Sequence, residues 1–377
     1  LTRPLDYGRV VLYPYRVNEV RLAKKAPTKK SCKFFSRPSN TEVRSAMAVS
    51  LGCHFAHACG LFGASFCKAD PDDTESIVQG NAKRMGFEPP RPNRKLRRKF
   101  KRFVGRWLKR NMTPLSADTD LSVAHWLEQT NYTEARKKEL LELWEEVGGV
   151  LSKKHYICKS FIKDEFYPEW KYPRGINSRH DAFKCAVGPW FHAIEKELFN
   201  LPWFIKKVPV HLRAEYIMDN VFAEGSKYLA TDYTSFEAQF TRDMMHDCEF
   251  QLYKYMTQGN PARDQFWWYL DNVLAGTSIC NYKNVRVILE ATRMSGEMCT
   301  SLGNGFSNLM FMLFMAEVKG VSDVRGVVEG DDGLFSFKMN GAEPFTDTDF
   351  RDLGLVIKPI WHDKISTASF CGIVFDE

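Results

Sequence analysis

The stretch Val324-Arg-Gly-Val-Val-Glu-Gly-Asp-Asp-Gly-Leu-Phe-Ser-Phe337 sets a glycine-led acidic turn between two short apolar runs. Runs rich in Val and Phe, joined by Gly and Asp, predict a β-hairpin with Asp331 and Asp332 side by side at its tip. Adjacent carboxylates repel unless a cation lies between them, and a hard divalent cation with oxygen ligands is the natural partner. A plain solvated turn has the same three residues. Their meaning depends on what the rest of the chain sets beside them.

A second acidic position follows the apolar run Lys227-Tyr-Leu-Ala-Thr231, where Asp232-Tyr-Thr-Ser-Phe-Glu237 begins. Helical patterns are expected over 244–256, stopped by Gly259-Asn260-Pro261, and over 302–318, just before the hairpin. Residues 345–354 read as helix and 355–360 as strand. The order strand–helix, helix, hairpin, helix–strand predicts an α+β fold, a split βαβ sheet with an antiparallel hairpin and helices on one face. In that topology Asp232, at the carboxyl end of its strand, lies beside the hairpin tip, and Asp232, Asp331 and Asp332 converge. Between them Ser295-Gly296 precedes Thr300 and Asn304, which are four apart and share a helix face. Asn both donates and accepts, which suits recognition of a sugar hydroxyl.

The net charge of +7 is unevenly placed. In RKLRRKFKRFVGRWLKR, residues 94–110, ten of seventeen residues are Lys or Arg and none is acidic. Removing them leaves the rest near −3, so one segment supplies the basicity. Phe100, Phe103, Trp107 and Leu108 interleave with the cations, which suits a helix with a packed apolar face and a polyanion on the other. Helix is also expected over 135–144, with Thr133 at its start.

Ten scattered cysteines outline no disulfide framework, as in a reduced cytosolic protein. Cys53, His54, His57, Cys59 and Cys67 are zinc-ligand types, but their spacing fits no common finger, and buried thiols and core histidines are the reading adopted. Residues 45–67 are uncharged for 23 positions, long enough to span a bilayer. Three Ser, three Gly and two His dilute the run, so a buried or interfacial helix is expected instead. The chain begins at Leu1 and reads as a piece of a longer product; no signal-peptide pattern is present.

D-x4-E at 232–237, SG-x3-T-x3-N at 295–304 and GDD at 330–332, in that order, resemble the RNA-directed RNA polymerases of positive-strand RNA viruses. The wording RMSGEMCTSLGN with Phe370-Cys371 is most similar to the tombusvirus-like members. Upstream, Phe161-Ile-Lys163-Asp-Glu165 and Lys171-x2-Arg174 are similar to the family's basic fingers motif, and the likeness covers about residues 95–377.

The resemblance implies a right-hand polymerase: fingers over 93–226, palm over 227–258 and 291–377, a return to the fingers over 259–290, and a thumb absent or truncated. Residues 1–92 are an N-terminal accessory or fingertip region. It further implies two Mg2+ ions, or Mn2+, bound by Asp232 and Asp331, with Asp332 a less essential neighbour. Lys163, Lys171 and Arg174 face the triphosphate. Ser295, Gly296, Thr300 and Asn304 place the ribose, with Glu237 linked to Asn304. Lys358, with Lys364 as second candidate, protonates the leaving pyrophosphate. The implied partners are RNA template and product, nucleoside triphosphates, other viral replication proteins and, through other segments, membrane; the implied location is the host cytoplasm, in membrane-associated replication complexes. Glu237 departs from the commoner Asp and is one methylene longer.

A reverse transcriptase shares the palm but carries an aromatic residue before its Asp pair and lacks SG-x3-T-x3-N. A non-catalytic RNA-binding scaffold would have no need for three intact carboxylates.

Overall fold

The computed structural model describes residues 29–36, 53–57, 65–167 and 171–376, with the backbone alone at 36 and over 53–57 and 65–67. Strands β1 (Lys33–Ser36), β2 (Cys53–His57) and β3 (Ser65–Ala69) precede four helices, α1 (Thr74–Arg84), α2 (Arg94–Asn111), α3 (Val123–Glu128) and α4 (Glu134–Val147). Next come β4 (Cys158–Ile162), β5 (Phe166–Tyr167), β6 (Gly175–Arg179), α5 (Asp181–Leu198) and α6 (Arg213–Val221). They are followed by β7 (Lys227–Ala230), α7 (Arg242–Asp247), α8 (Glu249–Thr257), α9 (Arg263–Tyr269), β8 (Thr277–Asn281) and β9 (Val285–Glu290). The last segment holds α10 (Thr300–Lys319), β10 (Val324–Glu329), β11 (Asp332–Phe337), α11 (Asp347–Leu353), β12 (Ile360–His362), β13 (Ser369–Phe370) and β14 (Ile373–Val374).

The fold is mixed α+β. Strands β10, β11, β7 and β12 form an antiparallel sheet in that order, with β7 between the hairpin and the last strand. A five-stranded sheet, β1-β9-β8-β4-β6, lies beside it in sequence, and β2-β3-β5 form a third. Helix α10 packs on the hairpin strands and is buried almost throughout, from Leu302 to Ala316. It ends at Gly320, whose φ of +71° makes the left-handed cap that a side chain would resist.

Helix α2 lies across the outside of α10. Asn93 caps it by accepting from the backbone N–H groups of Lys95 and Leu96. Its apolar stripe faces inward, with Phe100 against Phe311 and Phe314, and Trp107 edge-on to Phe306. Helix α4 starts where expected, Thr133 Oγ1 accepting from the Arg136 N–H.

Several expectations need correction. The uncharged run is not a helix where its backbone is described: β2 and β3 pair antiparallel, Cys53 opposite Ala69 and His57 opposite Ser65. The interval between them carries two glycines, which disfavour a continuous helix. The side chains of the Cys53–Cys67 cluster lie outside the described residues. The helix expected over 244–256 is two helices, broken at Cys248, where φ and ψ are −119° and −96°. The strand expected over 355–360 begins only at Ile360, because Pro359 has no N–H to give a ladder. Helix α5 carries Pro189 within it, a residue that removes one backbone donor from the helix. Its preceding Gly188 leaves room for the Trp126 ring, whose carbons would lie 2.6–2.8 Å from a Cβ there.

Phe311 touches Phe100, Tyr233 and Phe236 at the centre of this core. Phe311→Ala is expected to cost about 3–5 kcal/mol in urea denaturation, against less than about 0.5 kcal/mol for Phe161→Ala at an exposed site.

Candidate active site

The hairpin turns through a two-residue loop, Gly330-Asp331, with Glu329 and Asp332 as its last pair. Gly330 has φ +61°, the glycine-first geometry that matches the twist of the flanking strands. Strand β7 pairs with β11, Ala230 opposite Leu334, and the pairing continues to the tip: the Thr231 N–H donates to Gly333 O at 2.9 Å. The Thr231 hydroxyl donates to Asp331 O at 3.0 Å. This register sets the backbone of Asp232 beside that of the acidic pair. From α10, Asn308 Nδ2 donates to Asp331 O at 2.9 Å, while its Oδ1 accepts from the Tyr233 hydroxyl at 3.1 Å. One buried amide thus ties both acidic segments together. On the other side, the Lys358 N–H donates to Asp232 O at 2.9 Å, and Gln239 bonds both ways with Val356.

Asp331 lies exposed at the hairpin tip, with protein close around its carboxyl. Burial, then the charges of Glu237 and Asp332, push its carboxyl up to about 6 from an ordinary 3.8. Asp332 turns away, its Oδ2 3.3 Å from Cys371 Sγ. Among the described residues no three His, Cys, Asp or Glu side chains are drawn together at metal-holding distance. The backbones converge as expected; the three carboxylates do not form one cluster, as like charges without a counter-cation require. An all-oxygen donor set, with one member's proton held abnormally tightly, is the chemistry that a hard divalent cation relieves.

The expected cations gather around a carboxylate that the sequence reading gave no role. Glu165 receives Arg174 through both Nε and Nη2, at 2.9 and 2.8 Å, and Lys163 at 2.7 Å, and hydrogen-bonds the Tyr167 hydroxyl. Burial pushes Glu165 up, but these donors outweigh it and hold it down at about 2. Lys171 lies 5.1 Å over the Tyr167 ring. Arg84, at the end of α1, was missed. Its Nε donates to Tyr172 O at 3.1 Å, and it feels Arg174, Tyr167, Glu237 and Glu165. Lys83 O accepts from the Ser235 hydroxyl at 3.0 Å, so the end of α1 docks on the loop after Asp232. No local pattern in the sequence announces contacts of α1 with Tyr172 and Ser235, 88 and 152 residues away.

The segment before α10 is held by two buried ion pairs, Arg179 with Glu297 (2.6 Å) and Arg293 with Glu249. Gly296 has φ +119°, and a Cβ there would meet Asn177 O at 3.0 Å. Ser295 O accepts from the Asn177 N–H at 2.6 Å, and Thr300 Oγ1 donates to Met294 O at 3.0 Å. Ser295, Gly296, Thr300 and Asn304 are thereby brought to the first turn of α10. The expected Glu237–Asn304 hydrogen bond is not formed. Asn304 Oδ1 is instead buried without a partner, and Glu237 contributes its backbone carbonyl to the Arg293 N–H at 3.3 Å. Lys358 and Lys364 are both exposed; Lys358 alone is tied to Asp232.

Two outcomes test this geometry. A carboxyl whose folded pKa is raised contributes stability below its unfolded pKa and loses it as pH rises through the folded one. In chelator, Asp331→Asn is therefore expected to melt higher than the parent at pH 8, the gap closing as pH falls through 6 towards 4; a gap constant with pH contradicts the assignment. Asn308→Ala removes one of the two donors to the Asp331 carbonyl and the acceptor of the Tyr233 hydroxyl together, and is expected to cost about 1–3 kcal/mol in denaturant titration, with Tyr233→Phe costing less.

Residues 182–376, just over half of the chain, match the family described as viral RNA-dependent RNA polymerase. The match takes in Asp232, Glu237, the 295–304 segment, the hairpin and Lys358, and leaves out Lys163, Lys171 and Arg174. The RNA-directed RNA polymerase of Striped jack nervous necrosis virus is 27% identical over 194 residues, 49% of this chain and 19% of that protein. That of Greasy grouper nervous necrosis virus is 26% identical over 197 residues, 48% of this chain and 19% of its own length. The chain thus spans about a fifth of the length of the curated relatives it matches. With the acidic hairpin, the paired strand ending at Asp232 and the polar start of α10 all falling inside the matched region, the chain belongs to the viral RNA-dependent RNA polymerases.

Proposed function

We propose that this chain carries the catalytic centre for template-directed RNA synthesis from nucleoside triphosphates, in replication and transcription of a viral RNA genome. The observation that carries this reading is the β7–β11 register, which sets Asp232 beside Asp331 and leaves Asp331 with a carboxyl raised to about 6. In this reading β7, α10, the hairpin and β12 belong to the palm, and the sheet holding β4 and β6 to the fingers. A tombusvirus-like affiliation rests on RMSGEMCTSLGN and Phe370-Cys371.

Asp232 and Asp331, with Asp332 beside them, are the residues to hold two divalent ions, Mg2+ or Mn2+, which when bound supply activation of the attacking hydroxyl and charge neutralisation at the phosphates. The chain's own residues do the rest. Lys163, Lys171 and Arg174, joined by Arg84, meet the triphosphate as it enters; three or four cations in one arc oppose its charge. The orphaned Asn304 Oδ1 is placed to accept from a ribose hydroxyl, and Ser295, Gly296 and Thr300 shape the backbone around it. Glu237 raises the charge density at Asp331 and completes the ribose side. Lys358, anchored at Asp232, is placed to give a proton to the departing pyrophosphate. RNA template and product are the partners. Other viral replication proteins and a membrane-associated site in the host cytoplasm belong to the same reading; among the described residues no helix is long and apolar enough to cross a membrane.

Incorporation of ribonucleotides against deoxyribonucleotides on an RNA template tests the proposal. Preference for ribonucleotides is expected, falling at least tenfold in Asn304→Ala; preference for deoxyribonucleotides sinks it. Asp232→Asn is expected to abolish metal-dependent synthesis and to leave the fold intact by circular dichroism. A loss of only tenfold contradicts its role.

A further inference from the structure

Helix α2 carries ten cations, and the fold uses only three of them. Arg97 pairs with Asp243 and Asp247, Lys101 with Asp247, and Arg106 with Glu317. The remaining seven, Arg98, Lys99, Arg102 and Lys109 among them, are exposed and meet no acidic partner among the described residues. At 100° per residue these seven fall within an arc of about 160°, and the helix runs for about 24 Å from its first cation to its last. The opposite arc holds Phe100, Phe103, Val104, Trp107 and Leu108, all buried against α8 and α10. Because α10 stands between α2 and the hairpin, the cationic face points away from the acidic residues of the candidate active site.

We infer that this face is a second RNA-binding surface, which holds single-stranded RNA by its phosphates independently of the catalytic cleft. Rows of cations four residues apart repeat about every 6 Å along the helix, a cadence that a phosphate chain can follow. Uncompensated positive charge along one helix is the signature of phosphate neutralisation, without base readout. An anionic bilayer is the lesser fit. A membrane-surface helix presents its large apolar side chains to the lipid, whereas here all five are turned into the core.

The test uses Arg98→Gln, Arg102→Gln and Lys109→Gln together, with Lys138→Gln, Lys153→Gln and Lys154→Gln as a control that removes equal charge elsewhere. Binding of a 30-nucleotide single-stranded RNA is followed by fluorescence anisotropy across a salt series, with extension of a short saturating primer–template and the melting temperature measured in parallel. The α2 variant is expected to lose at least tenfold in affinity at 0.1 M salt, with the slope of log K against log salt flattened by about 2. Extension and melting stay at the parent's level, and the control moves the affinity less than threefold. Equal losses in both variants, or no loss in the α2 variant, overturn the inference. So does capture of phosphatidylserine-containing vesicles that the α2 substitutions abolish while RNA binding stands. A parent that binds RNA in this way yet extends no primer would sink the proposed polymerase activity and leave this surface in place.

Discussion

Everything in the catalytic region depends on the register between β7 and β11. One residue of slip would turn Asp232 to the opposite face of the sheet, because side chains alternate along a strand. Leu229 and Phe335 pack into the core on one face of the sheet and Tyr228 and Leu334 into the core on the other, so a slip would drive each set into the wrong core. Hydrophobic burial therefore fixes the position of a carboxylate that it never touches. Asn308 adds a second lock, because its single amide bonds the hairpin turn and the residue after Asp232 at once.

That lock accounts for how α10 is built. The helix is apolar nearly all round, as a buried helix must be, yet Asn304, Ser307 and Asn308 are buried within it. Asn308 is satisfied by the hairpin and by Tyr233. Ser307 meets Cys248 Sγ at 3.5 Å, at the break between α7 and α8. Asn304 Oδ1, one turn earlier, has no partner. A buried acceptor left open costs free energy, and in the proposed reading a ribose hydroxyl supplies the missing partner of Asn304 Oδ1.

How much of this was legible in the sequence varies with distance. The hairpin, β7, α2, α4 and α10 follow from periodicity, caps and turn residues within a dozen positions, and each formed where local pattern put it. The strand pairing that joins Asp232 to Asp331 spans a hundred residues, and topology alone made it readable. Contacts of unlike elements were not readable at all. Arg84 reaches the cation group only because α1 docks through Lys83 O on Ser235, and Glu165 became a hub only because β4 and β6 fold Lys163 and Arg174 onto it. The Glu237–Asn304 link is implied by a resemblance alone, and in this structure it is unmade.

The arginines show how one residue type serves two ends. Arg179 and Arg293 are almost wholly buried and each has a buried glutamate, so removing either partner would strand a charge in the interior at a cost of about 3–5 kcal/mol. They fix the segment before α10 and are not free to meet a ligand. Arg174 is half exposed, so its bidentate pair with the mostly buried Glu165 leaves part of the guanidinium open to solvent. In the proposed reading a triphosphate competes with Glu165 for Arg174 and Lys163, and Glu165 keeps both aimed until then. A carboxylate that holds cations in place for a more highly charged anion is, in that reading, a positioning group.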